Sequence, residues 1–140
     1  MKSMKPKINF LRLAFTTAIV FFLSAGFSPA PLEINIDVAP NVLNIQSEGT
    51  VVTVHTDIAY SAVEGATVLL NDVPIAWWKS DSRGQFVAKF NMEEVIDLYY
   101  ADLLVLGDNE LTLTGTTKTD DDFSGTHIIK VIDVASTGKK

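Results

Sequence analysis

Cysteine is absent from all 140 residues. No disulfide can form and no lipid can be carried on an N-terminal cysteine, so the folded part must be held by its core alone. Histidine is scarce. The two present, His55 and His127, stand in no Gly-x-Ser-x-Gly or His-Glu-x-x-His arrangement, and no thiol is available as a nucleophile. A carboxylate pair for glycoside hydrolysis needs a cleft, and a chain of this length leaves little room for one. The expectation is a protein that is not an enzyme. Basic residues are also scarce beyond the N-terminus. Of 11 Lys and Arg, four (Lys2, Lys5, Lys7 and Arg12) lie in the first twelve residues, leaving 7 against 17 Asp and Glu, a net charge of −10 for the rest. Such a surface argues against nucleic acid, which needs a basic footprint, and against anionic headgroups. It favours solubility and keeps divalent cations in view.

The N-terminal segment has its own logic. "MKSMKPKINFLR" carries those four cations and no acid, and the uncharged run "LAFTTAIVFFLSAGF" follows. A basic start before an apolar run of that length is the pattern of an export signal, with a retained anchor as the alternative. Residues 1–30 are expected to be the signal, cut between positions 25 and 30. A cut after Ala25 or Gly26 avoids placing Pro31 just beyond the cleaved bond, as a cut after Ala30 would. Residues 31–135 then form one domain, with 136–140 as a flexible tail and no membrane contact once the signal is gone.

Within that domain the hydrophobic period is two. "LEINIDV" (Leu32 to Val38) sets Leu32, Ile34, Ile36 and Val38 against polar neighbours, and "TVVTVHTDI" sets Val52, Val54, Thr56 and Ile58 on one face. "ATVLL" (Ala66 to Leu70), "PIAWWKS" (Pro74 to Ser80) and "GQFVAKF" (Gly84 to Phe90) follow, parted by turn residues. "ELTLTGTT" and "GTHIIKVIDV" flank "KTDDDFS" and read as a long hairpin. One stretch departs from this. "NMEEVIDLYYADLLVLG" (Asn91 to Gly107) opens on Asn and an acidic turn, and its apolar residues recur at three- and four-residue steps. The spacing predicts a helix from near Met92 to near Leu104, closed before Gly107, with Val95, Ile96, Tyr99 and Leu103 on its covered face. The expected fold is mainly β: many short strands at this spacing make a sandwich or a barrel, here about seven to eight antiparallel strands with one crossover helix plugging an open end. Its core comprises Ile34, Ile36, Val52, Val54, Val68, Leu70, Phe86, Leu111, Leu113, Ile129 and Val131.

Taken in order, "INIDVAPNVLNIQSEGTVVTVHTD", "SDSRGQFVAKFN" and "GDNELTLTGTTKTDDDFSGTHIIKVIDV" resemble a bacterial and archaeal extracellular module. The resemblance spans Ile34 to Val134. It implies an immunoglobulin-like sandwich of exported and cell-surface proteins, without established activity. Such modules often carry an Asp-x-Asn-x-Asp-Gly turn where this chain has "SDSRG". Only Asp81, Ser82 and Gly84 match, and Arg83 stands where an acidic or neutral residue is expected, which weighs against calcium.

Three groups of residues are candidates for function. Trp77 and Trp78 are adjacent in a strand, so their side chains leave on opposite faces and at most one can enter the core. The bland reading puts one ring in the core and roofs the other with Tyr99 or Tyr100 on the helix. The sharper one makes Trp77 or Trp78, with Tyr60, Tyr99 or Tyr100, a platform for a sugar ring. Asp81 reads first as the start of a side-chain-closed turn ending at Gly84, because the turn alone cannot supply the six to eight oxygens, at about 2.3 to 2.6 Å, that calcium requires. Asp120, Asp121 and Asp122 read as a solvated hairpin tip, since consecutive side chains in an extended segment diverge; Asp81, Asp120 and Asp122 remain the weak metal candidates. Two classes of function follow. One is a non-catalytic interaction module of the cell surface, periplasm or extracellular space that needs no cofactor and binds another protein or a matrix component. The other is a carbohydrate-binding module or a weakly calcium-stabilised adhesion domain.

Overall fold

Alternation decides which side of each strand is covered, and in this chain it builds two sheets. The computed structural model describes residues 29–135. The export signal expected over residues 1–30 falls, but for its last two, outside the described residues, as does the tail 136–140. Among the described residues ten strands form, against the seven to eight expected: β1 Leu32–Glu33, β2 Ile36–Ala39, β3 Val42–Asn44, β4 Val51–Ala59, β5 Val63–Leu70, β6 Val73–Pro74, β7 Trp77–Ser80, β8 Gln85–Asn91, β9 Gly107–Thr117 and β10 Asp122–Ile132. A 3-10 turn, Tyr60–Ala62, joins β4 to β5, and a helix, α1, spans Met92–Tyr100.

The strands make a six-stranded sheet, ordered β1-β10-β9-β5-β6 with β3 also on β10, and a four-stranded sheet, ordered β2-β4-β8-β7. The mainly-β sandwich read from the sequence is the architecture found. Every residue expected in the core is buried except Ile34, which is partly buried against it. Full burial of each Val, Leu, Ile or Phe contributes about 1.5–3 kcal/mol, which is what a domain without disulfides relies on. Phe90 and Phe123 add the volume that the core list lacked.

Two expected strands break where the chain changes sheet. The stretch from Leu32 to Val38 is not one strand: β1 pairs in parallel with β10 at Phe123 and Ser124, and β2 pairs antiparallel with β4. The crossing runs close over Gly125, where an added Cβ would lie 2.8 Å from the Ile34 carbonyl oxygen. Only glycine leaves room for it. The chain then returns, and β3 pairs in parallel with β10 at Lys130–Ile132. The sheets are therefore antiparallel except along the outer side of β10. Likewise, Pro74 to Ser80 divides: β6 ends on β5, Ile75 N–H donates to Val68 O, and Ala76 N–H donates to Lys89 O as the chain enters the other sheet.

The helix crosses between sheets as expected, from β8 to β9, and buries Met92, Val95, Ile96 and Leu98 in the common core. It is shorter than predicted. Asp102 takes a left-handed backbone (φ 63°), its N–H donates to Tyr99 O, and Leu103 N–H donates back to Leu98 O. Those bonds close the helix five residues before the glycine expected to do so. As a consequence Leu103 is 67% exposed and Leu104 takes the buried place. Among the described residues no helix is long and apolar enough to cross a membrane.

Candidate interaction site

The β7–β8 hairpin carries the features that the core does not need. Its turn is built by Asp81, whose Oδ1 accepts from Arg83 N–H (2.8 Å) and Gln85 N–H (2.9 Å) while Gly84 closes the bend at φ 81°. The hydrogen bond from Gln85 is the main cause that holds the Asp81 carboxyl below its usual pKa; desolvation opposes it, and the Arg83 hydrogen bond and charge add to the lowering. Oδ1 is thus spent on backbone amides.

β7 pairs with β8 alone, Trp77 opposite Lys89 and Trp78 opposite Ala88. All four of its residues are exposed. The two indoles do leave on opposite faces, but neither is a core residue: Trp77 is 49% exposed and Trp78 38%. The bland reading of one core ring and one roofed ring is therefore corrected. The cause is position, since β7 is the edge strand and has nothing beyond it to bury an indole. Trp77 lies on the outer face, with Lys89 Nζ 5.4 Å from its ring centroid and donating to Thr53 Oγ1 at 2.9 Å. Trp78 points inward and spans the open side of the sandwich. There it rests on Gly65 of β5, where an added Cβ would sit 2.6 Å from Trp78 Cδ2 and Nε1.

The helix tyrosines do not join the tryptophans. Among the described residues the close ring pairs are Tyr99 with Tyr100, edge to face at 5.3 Å, and Tyr60 with Phe86 at 6.3 Å. Tyr100, 65% exposed, borders a depression of about 370 Å³ lined also by Ile45, Glu48, Glu93 and Asp97. α1 packs chiefly on β8 and β4. The four-aromatic platform separates into a hairpin pair and a helix pair.

The acidic tip is a closed turn as well. Thr117 Oγ1 accepts from Asp121 N–H (3.1 Å), Thr119 Oγ1 donates to Asp121 Oδ2 (3.0 Å), and Asp120 sits at φ 65°. Asp122 begins β10 opposite Thr116 and lines a shallow depression with Pro31, Thr67 and Ser124. Among the described residues no three His, Asp or Glu side chains converge as metal ligands.

What the sequence reading missed is the cation distribution. Residues 29–135 hold 17 acidic side chains and five basic ones, and three of those five, Lys79, Arg83 and Lys89, lie on this one hairpin. The spacing of basic residues along an acidic chain carries that signal. Val87 adds to it: it faces outward between His55 and Lys79 in the register, yet is fully buried. Long polar side chains covering an apolar one is the arrangement that lysine stems favour. No protein-family model, no curated protein and no solved structure matches the chain.

Proposed function

We propose that the chain is an exported, non-catalytic interaction module that binds another protein or a surface-matrix component through the β7–β8 hairpin. One observation carries this reading: both tryptophans and three of the five cations of an otherwise acidic domain share a single hairpin whose outer strand, β7, is an exposed sheet edge. Exposed aromatics beside a cation are the composition of contact surfaces, where tryptophan and arginine supply most of the energy. Export is supported by the basic N-terminus and the apolar run after it. The acidic remainder argues against nucleic acid and anionic lipid as partners.

A second reading, contact with a sugar ring, is favoured by the exposure of Trp77. Against it stand the Lys89 ammonium placed over that ring and the opposite heading of Trp78. The test uses the full chain expressed with its N-terminus intact, fractionated, and carrying a photo-crosslinking side chain at Ser82 or, as control, at Thr126. Polypeptide adducts outside the cytoplasm from Ser82 and not from Thr126 are expected. Glycan adducts select the second reading, and cytoplasmic retention or no adduct overturns the first.

A further inference from the structure

A β-sandwich has four lateral edges, and this one treats them unequally. On the six-stranded sheet the edges are the short strands β1 and β3, of two and three residues, beside β10, and β6, of two residues and ending in Pro74, beside β5, whose remaining length lies under the Trp78 indole at Gly65. Edges so short offer little to an added strand. On the four-stranded sheet, β2 forms one edge, and there Val38 N–H donates to the half-buried His127 Nδ1 at 3.0 Å. That donor is unavailable to any added strand. β7 forms the other edge, and all four of its residues are exposed. Asp81 N–H donates to Gln85 O, directly opposite in the register. In an antiparallel ladder the hydrogen-bonded pairs alternate, so Lys79 also faces β8 and the amide and carbonyl groups of Trp78 and Ser80 face away from it.

We infer that the outward edge of β7 accepts one extended peptide segment as an added strand, with an acidic side chain beside Lys79. The inference rests on the interaction reading above and names the partner's chemistry. Strand addition draws affinity from main-chain hydrogen bonds and specificity from alternate side chains. Here the outward main-chain groups belong to Trp78 and Ser80, and the side chains that select are Trp77, Lys79 and, next to them, Lys89 and Arg83.

Charge chooses among the occupants. A second copy pairing β7 with β7 through those outward groups sets Lys79 against its own copy, and like charges directly opposite oppose association. The segments of this chain outside the described residues are basic: Lys2, Lys5, Lys7 and Arg12 at one end, Lys139 and Lys140 at the other. The hairpin cations repel them. An acid-bearing segment of another protein is what the edge fits.

The probe is a blocked peptide of alternating glutamate and valine, about eight residues long to match a typical strand, compared with one of alternating lysine and valine. Amide exchange followed by NMR reads the bonds themselves. The glutamate peptide is expected to slow exchange at Trp78 and Ser80 by about tenfold or more at saturation, and its affinity is expected to fall by about tenfold or more in Lys79→Glu and in Ser80→Pro. Proline at position 80 removes a donor that β8 does not use, so the hairpin ladder keeps its bonds. Should Ser80→Pro melt early, exchange in the unaltered protein together with Lys79→Glu decides the matter. Equal binding of the lysine peptide, no protection at Trp78 and Ser80, or binding untouched by Ser80→Pro in a folded variant would each overturn strand addition. So would displacement by polygalacturonate that is equally strong in Ser80→Pro, which would mark a charge site for acidic sugars. Failure here while Ser82 still cross-links to a polypeptide leaves the interaction module standing; loss of both removes it.

Discussion

The missing side chain at position 65 decides where Trp78 can lie. An alanine there drives its Cβ into the indole, so either the ring swings off the open side of the sandwich or β5 shifts. We expect Gly65→Ala to cost about 1–3 kcal/mol, the usual range for overpacking. Trp78→Ala on the same background should recover part of that loss, and a double-mutant cycle by urea melts measures the coupling. Additive losses would show that the indole does not rest on Gly65. Asp57 is a second residue with a defined role. Its Oδ1 accepts from Asn35 N–H (2.9 Å) and its Oδ2 from Asn35 Nδ2 (2.7 Å), and these bonds, the side-chain one first, lower its pKa. A carboxyl whose pKa falls on folding stabilises the fold above its unfolded value of about 3.9 and loses that contribution as pH drops through the lower folded value. Asp57→Asn is therefore expected to be less stable at pH 7 and to lose less on acidification below about pH 4. Denaturation curves at the two pH values check both signs, and an unchanged acid loss would count against the Asn35 clasp.

At the scale of elements, the helix offers the sharpest contrast, because its end separates two residues that periodicity placed on one face. Ile96 is buried in the common core, and Leu103, beyond the left-handed stop at Asp102, is not. Ile96→Ala should cost about 2–4 kcal/mol and Leu103→Ala less than about 0.5. Equal losses in urea melts would return Leu103 to the covered face. The same contrast shows what the sequence makes legible. Period two and period 3.6 are local, so the long strands, the helix after β8 and nearly all of the expected core could be read from them, whereas the three-residue β3 is too short to show a period. Helix termination at Asp102 was not readable, because Gly107 gave the louder signal and an aspartate in the left-handed region has no pattern of its own. The sheet changes at Ile34–Asn35 and Ile75–Ala76 were not readable either. They depend on distant residues, Gly125 and Val68, that make room or accept a bond. The candidate site was legible in part: alternation sent Trp77 and Trp78 to opposite faces, but their exposure follows from β7 being an edge, which only strand order reveals.

At the scale of the molecule, β10 is where the two ends of the folded domain meet. It pairs in parallel with β1 and β3 and antiparallel with β9, and its His127 reaches across to β2 in the other sheet. β1 and β3, two of the first three strands after residue 29, therefore cannot settle until the last strand is in place. Loop closure over such sequence distances must be met before those pairings return anything, so a sandwich with this wiring folds slowly for its size. Among the described residues the β5–β6, β7–β8 and β9–β10 hairpins and α1 are the elements that can form locally and early. We expect refolding of residues 29–135 from urea on a timescale of about milliseconds to seconds, the range of sandwiches with non-local pairing. Ile129→Val, in the middle of β10 and 2% exposed, tests which strand sets that rate. If β10 pairing is part of the barrier, the variant slows folding in proportion to its loss of stability; if the hairpins alone form the nucleus, it speeds unfolding instead. Stopped-flow tryptophan fluorescence separates the two, and relaxation in microseconds would mean that the long-range pairings do not limit folding at all.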